Sequence, residues 1–220
     1  SMIEAVIFDL DGVLVSTDEQ HYQAWLQIAR EEGIPFDRDI NERLRGVSRM
    51  ASLEIILERA AKHYDEETKQ SLALRKNSLY VDLIQTLTPS DMLPGAMDNL
   101  QELRKAGVLV AIGSSSRNTK HILQRIGLSD YFDAIADGND IRHSKPDPEV
   151  FLTAMQRLGK TPGECLVVED AEAGVEAALA AEMRVLGVGS ASRSKKATAC
   201  VASLDGFSIL RWLRRQNGQN

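Results

Sequence analysis

Short, β-branched apolar runs recur along this chain at intervals long enough to hold a helix, and that rhythm leaves few folds open. Ile3 to Phe8 reads Ile-Glu-Ala-Val-Ile-Phe, too short and too β-branched for a helix, and is predicted to be a buried strand. Similar runs stand at Val108 to Ile112, Leu166 to Val168 and Val185 to Val188, with a weaker one over Asp133 to Ala136. Between them the apolar residues take helical spacing. Met97, Leu100 and Leu103 share a face, as do Ile122, Leu123 and Ile126, which Gly127 follows as a stop signal. Asp147-Pro148-Glu149 reads as an N-cap, a first-position proline and a first-turn acid. Strands alternating with helices predict an α/β fold built on a doubly wound parallel sheet.

One segment breaks the rhythm. From about Thr17 to Leu87 nothing reads as a strand, while Leu53, Ile56, Leu57 and Ala60, then Leu72, Leu79, Leu83 and Leu87, keep helical spacing. The expectation is a discontinuous Rossmann-like core of residues 1–16 and 88–220, with an all-helical cap, residues 17–87, inserted after the first strand. At 220 residues the chain is long enough for both. Gly46 and the Pro89 to Gly95 stretch supply turning points. The tail from Ser190 ends in a helical pattern, Ile209 to Leu213, that suggests no chemistry. Ser1 ahead of Met2 has the look of a cloning remnant.

The formal net charge is −6 and no long basic stripe occurs, which argues against nucleic acid as a partner, since backbone binding needs many cationic contacts. The two cysteines, Cys165 and Cys200, lack metal-type spacing; Cys165 opens an apolar run and is expected to be a buried free thiol. No run reaches the roughly 18 apolar residues of a membrane span, and no signal peptide precedes the first strand. A cytoplasmic monomer without membrane contact is the expectation.

In open α/β sheets, ligands gather beyond the carboxyl ends of the strands. Here those ends carry Asp9-Leu10-Asp11-Gly12, Gly113-Ser114-Ser115-Ser116, Lys145-Pro146 and Glu169-Asp170. Asp9 and Asp11, two apart on extended backbone, point the same way, and Gly12 permits a sharp turn afterwards. Carboxylates brought together repel one another, and a hard divalent cation with oxygen ligands relieves the conflict. Magnesium suits this, and it would let Asp9 approach an anionic phosphate. Ser114 and adjoining amides can hold phosphate oxygens, Lys145 adds a compact positive charge, and Asp11 can trade protons with the entering or leaving oxygen. Each piece alone has a plainer reading: Asp-x-Asp as a solvated loop, Ser114 or Glu169-Asp170 as a helix cap, Lys145 as a surface lysine. Their arrival after successive strands, where one crevice collects them, favours phosphoryl transfer with Asp9 as nucleophile.

These residues resemble the four motifs of the haloacid-dehalogenase-like superfamily, over Ile3 to about Gly189. The resemblance implies that Asp9 becomes a phosphoaspartate and that Asp11 is the general acid and base. It also implies that Asp9, Asp11, Glu169 and Asp170 surround one magnesium ion, Asp11 through its main-chain carbonyl. The dehalogenases themselves lack an aspartate at the position of Asp11, so its presence favours phosphoryl chemistry.

The cap resembles that of the β-phosphoglucomutase subgroup, through Thr17-x-x-x-His21-x-x-x-Trp25, Arg45-Gly46-Val47-Ser48-Arg49-x-x-Ser52-Leu53, Arg75-Lys76-Asn77, Asn118 and Ala134-Ile135-Ala136-Asp137. By that resemblance Arg49 grips the phosphate that is not transferred. His21, Trp25, Arg45, Gly46, Val47, Ser48, Ser52 and Lys76 contact sugar or help close the cap, Thr17 lies at the hinge, and Ser115, Ser116 and Asn118 meet substrate from the core. Arg45 stands where the best-known relatives carry lysine; arginine keeps the charge but is planar and bulkier. The plainer readings are Trp25 as cap core, His21 as a surface histidine, Arg49 as a solvated helix charge, and Arg75 and Lys76 as solubilising charges. The implied reaction is that of an isomerase, an intramolecular phosphotransferase interconverting β-D-glucose 1-phosphate and glucose 6-phosphate, primed by glucose 1,6-bisphosphate. The alternative on the same nucleophile is a magnesium-dependent phosphatase of sugar phosphates or other small metabolites.

Overall fold

The computed structural model describes residues 2–218; Ser1, the expected cloning remnant, lies outside them. The chain divides into two compact units, one holding the residues up to Ser16 and from Thr88 onward, the other Thr17–Leu87. The first is built on six parallel strands: β1 (Ala5–Phe8), β2 (Leu109–Gly113), β3 (Ala134–Ala136), β4 (Cys165–Glu169), β5 (Arg184–Gly187) and β6 (Ala199–Cys200). Their order is β3-β2-β1-β4-β5-β6, the expected doubly wound sheet with the first strand in the middle. Sequence reading misses β6, because two residues are too few to show a period.

Continuous apolar runs arise because a parallel sheet is covered on both faces. Ala5, Ile7, Ala111, Val167 and Val185 join one buried cluster with Val150, Phe151 and Ala154 of α7 (Glu149–Leu158) and Val175 and Ala178 of α8 (Glu172–Ala180). Val6 and Phe8, which alternate with them, are equally buried. Leu100 and Leu103 are buried on α5 (Ala96–Lys105), and Ile122 and Leu123 on α6 (Thr119–Arg125), which Gly127 follows at φ +81°. Helix α7 starts one residue later than predicted: Pro148 takes the cap position, and the Asp147 carboxylate accepts the Glu149 N–H at 2.9 Å. Cys165 is a buried free thiol, as expected.

The register decides what stands together. Phe8 pairs with both Ile112 and Val168, so β1, β2 and β4 end level and release Asp9, Ser114 and Glu169-Asp170 at one edge.

The second unit, described by itself, is helical, with no strand among its residues: α1 (Asp18–Glu32), α2 (Arg38–Glu42), α3 (Arg49–Leu57) and α4 (Glu66–Ile84). Asp37, Ser48 and Asp65 cap the last three, accepting from the Ile40, Ala51 and Thr68 N–H groups, which have no partner inside a first turn. Its core holds Trp25, Ile28, Leu53, Ile56 and Leu72. Helix α9 (Ile209–Gln216) of the first unit buries Ile209 and Leu213.

Candidate active site

Asp9 leaves β1 with its N–H bonded to the Val168 carbonyl at 3.0 Å, which continues the sheet one step beyond the strand. Three residues later the chain turns back at Gly12, whose N–H donates to Val15 O at 2.8 Å and whose φ is +81°. That turn needs glycine twice over. The conformation disfavours a side chain, and a Cβ there would lie 1.7 Å from Asp170 Oδ2. On α8, Gly174 does the same for Glu169, since its Cβ would fall 1.9 Å from the carboxyl carbon. Two missing side chains thus make room for two carboxylates.

Asp9, Glu169 and Asp170 each bring a carboxylate oxygen within 4.8 Å of the others. Lys145 is no surface lysine: its side chain is 11% exposed, and its ammonium donates to Asp9 Oδ1 (3.0 Å), Glu169 Oε2 (2.6 Å) and Gly113 O (3.0 Å). Burial pushes Lys145 down, but the Asp9 and Glu169 charges override it and hold the ammonium above its ordinary range. Glu169 is fully buried; its Oε1 accepts the Asp170 and Ala171 N–H groups, so both its oxygens already meet protein donors. Burial and the Asp9 charge push its carboxyl up to about 7, and Lys145 opposes them. Asp170 is pushed up to about 9 by burial and by Asp9, Glu169 and Asp11. One lysine cannot neutralise this set, and oxygen donors crowded so closely fit a small divalent cation.

Ser114 is buried at the end of β2. Its N–H donates to Ala136 O at 3.0 Å and its Oγ accepts the Ser116 N–H at 3.2 Å. Helix α6 begins only at Thr119, so Ser114 does not cap it. Ser115, Ser116 and Asn118 follow in the same loop, where Ser116 Oγ accepts the Asn118 N–H at 3.1 Å.

Within the helical unit, Lys76 is buried, in contrast to its neighbour Arg75, an exposed partner of Glu31. The Lys76 ammonium lies 2.7 Å from His21 Nδ1, with the Tyr80 ring at 4.7 Å and the Trp25 ring at 5.0 Å. His21 stacks on Tyr80, ring centres 4.0 Å apart. Burial first, then the Lys76 and Arg49 charges, hold the imidazole well below its usual pKa. An ammonium can only donate, so Nδ1 accepts and the imidazole proton sits on Nε2. His21 is therefore no free surface histidine. Trp25 is 2% exposed and packs in the core of the unit. Arg49 opens α3, and its Nη2 donates to Asn77 Oδ1 at 3.2 Å. Arg45 is claimed by carboxylates, Asp18 at 2.5 Å and Glu42 at 2.9 Å. Gly46 turns at φ +68°, and Val47 and Ser48 lead into α3. Buried Ser52 donates to Val47 O at 3.4 Å, steadying that loop, and Thr17, fully buried, begins the unit. Asn77, which accepts from Arg49, and Tyr80, which stacks on His21, are not among the residues that sequence reading assigns to the site. The signal was their spacing from Lys76, one residue and one helical turn.

A family model of haloacid dehalogenase-like hydrolases matches residues 3–182, and the chain belongs to that family. Among individual relatives, it is 48% identical over 189 residues to a β-phosphoglucomutase of Bacillus subtilis (strain 168), covering 85% of this chain and 84% of that one. A phosphorylated-carbohydrate phosphatase of Thermotoga maritima is 32% identical over 190 residues, covering 84% and 85%. The solved structure of a β-phosphoglucomutase from Clostridium difficile superposes with a TM-score of 0.88 at 39% identity, covering 99% of this chain and 98% of that one.

Proposed function

We propose that this chain is a phosphomutase that interconverts β-D-glucose 1-phosphate and glucose 6-phosphate, with Asp9 as the covalent nucleophile. The observation that carries the reading is the Lys145-bridged cluster of Asp9, Glu169 and Asp170 in a chain 48% identical to a β-phosphoglucomutase. The identity to a phosphatase is 32%, so the mutase reading is favoured over hydrolysis.

Asp9, Asp170 and Glu169, with the Asp11 carbonyl, would hold magnesium, whose charge offsets the carboxylates and the phosphate oxygens when it is bound. An Asp9 carboxylate oxygen attacks phosphorus, forming the aspartyl phosphate as the bond to the sugar oxygen breaks. Lys145, already within 3.0 Å of Asp9, balances the charge of the phosphoryl group, and the Ser114 hydroxyl donates to one of its oxygens. Asp11 gives a proton to the leaving sugar oxygen and takes one from the hydroxyl that attacks in the return transfer. The intermediate released from Asp9 is glucose 1,6-bisphosphate, which presents its other phosphate for the second half. Such a substrate has two anionic ends and needs two anchors; Ser114 and Lys145 serve the transferring phosphate, and Arg49, steadied by Asn77, the other. His21, through its Nε2–H, and Lys76 serve the sugar.

Phosphorus-31 NMR of β-glucose 1-phosphate with the protein, magnesium and a trace of glucose 1,6-bisphosphate tests this. Glucose 6-phosphate is expected to appear faster than inorganic phosphate. Inorganic phosphate accumulating as fast as glucose 6-phosphate would replace the reading with the phosphatase.

A further inference from the structure

Asp137 is a fully buried carboxylate at the carboxyl end of β3, outside the metal-type cluster. Its Oδ1 accepts the Asn139 N–H at 2.8 Å, and its own N–H donates to Asp140 Oδ2 at 2.9 Å. Asp140 is in turn held by both terminal nitrogens of Arg157, each at 3.0 Å. Asp137 Oδ2 is buried and meets no hydrogen-bond partner among the described residues. Burying a carboxylate on these terms is costly, so the position is occupied for something other than core packing.

What residues 136–139 touch is the loop after β2. The Ser114 N–H donates to Ala136 O at 3.0 Å, the Gly138 N–H to Ser116 O at 3.0 Å, and Asn139 Nδ2 to Arg117 O at 3.1 Å. The packing leaves no slack, because a Cβ on Gly138 would lie 2.4 Å from the Ser115 carbonyl oxygen. Ser114 to Asn118, the loop given the transferring phosphate and the core side of the substrate, is thus bonded along its length to a segment whose shape Asp137 sets from within.

We infer that Asp137 is a positioning residue for phosphoryl transfer: by folding residues 137–140 around its own carboxylate it fixes the Ser114–Asn118 loop at the distance the reaction needs. It rests on the phosphoryl-transfer reading above, touches no reacting atom and holds no cation. Reactions of this kind are sensitive to such placement, because misplacing a group by an ångström can cost about 100-fold in rate.

The test compares wild type, Asp137→Ala, Asp137→Asn and Gly138→Ala for mutase turnover, for hydrolysis of an aryl phosphate, for the magnesium concentration giving half-maximal rate, and for thermal midpoint. Asp137→Ala is expected to lower kcat about 10- to 100-fold for both substrates, with KM for the sugar phosphate and the magnesium midpoint each within about twofold. Asp137→Asn keeps an acceptor for the Asn139 N–H and is expected to recover most of that loss. Gly138→Ala pushes on the Ser115 carbonyl while leaving Asp137 intact, and it is expected to reproduce the kcat defect in a folded protein; it carries the test if Asp137→Ala does not fold. A folded Asp137→Ala with kcat within about twofold of wild type would overturn the inference, and so would a magnesium midpoint that rises in step with the lost rate. A wild type that turns over neither substrate would instead remove the reading on which it rests.

Discussion

Lys145→Met removes a cation from among the clustered carboxylates while keeping a stem of similar length against the Phe151 ring, over which the ammonium lies at 4.8 Å. Three donated bonds are lost, to Asp9, Glu169 and the Gly113 carbonyl. With Glu169 at 0% exposure and Asp9 at 13%, little water replaces them. Leaving one partner of a buried ion pair uncompensated costs about 3–5 kcal/mol. In a chain of this size each kcal/mol moves the melting midpoint by about 2–4 °C, so the loss is about 6–20 °C. The sign of its pH dependence follows from the raised pKa values, about 7 for Glu169 and about 9 for Asp170. A carboxyl raised in the folded state binds more protons there than in the unfolded chain. The stability of the metal-free protein therefore falls as pH rises from about 4, the ordinary carboxylate value, towards those two values. Removing Lys145 pushes both carboxyls higher still. The deficit is then small near pH 5, where Glu169 and Asp170 are protonated with or without the lysine. It grows as pH rises past about 7, where Glu169 ionises in the protein that keeps the lysine. Magnesium is expected to restore part of it at pH 8 by binding only the folded state. Scanning calorimetry of both proteins at the two pH values, with chelator and with magnesium, measures each quantity. An equal deficit at both pH values, or one below about 1 kcal/mol at pH 8, would refute the claim that Lys145 offsets buried charge.

Asp9→Asn is expected to abolish turnover and leave the thermal melt unchanged or higher, since an amide cannot attack phosphorus and one clustered charge is gone; activity above about a hundredth of wild type would rule out covalent catalysis by Asp9. Asp11→Asn is expected to lower kcat by ~10²-fold or more through lost proton transfer, with magnesium affinity kept. A large fall in that affinity would show that the Asp11 side chain binds the ion. Arg49→Ala is expected to damage the mutase reaction far more than hydrolysis of an aryl phosphate, which has no second phosphate to grip. Equal losses in both assays would place Arg49 in the catalytic centre or the fold.

Much of the core was legible because its signals are local. A β-branched run of four to six residues states its own conformation, Asp-x-Asp-Gly states a shared side-chain direction and a turn, and strand order brings distant loops to one edge. Boundaries were less legible. Pro148 suits either the cap or the first turn, and Asp147 can bond the Glu149 N–H from outside the helix. Spacing puts Lys76 on the same face of α4 as Leu72 and Tyr80, but a lysine there reads as a surface residue until His21, 55 positions earlier, is seen against its ammonium. The same holds for Arg45, whose exposed cation looks available until Asp18, 27 residues away, is found beside it. The glycines at 12 and 174 are ordinary turn and helix residues in one dimension. That they clear space for Asp170 and Glu169 depends on how β1, β4 and α8 pack. Conformation and side-chain direction follow from neighbours in the chain. The partner of a charge follows from packing between elements far apart in it, and charge pairing acts over a few ångströms of space whatever the number of residues between.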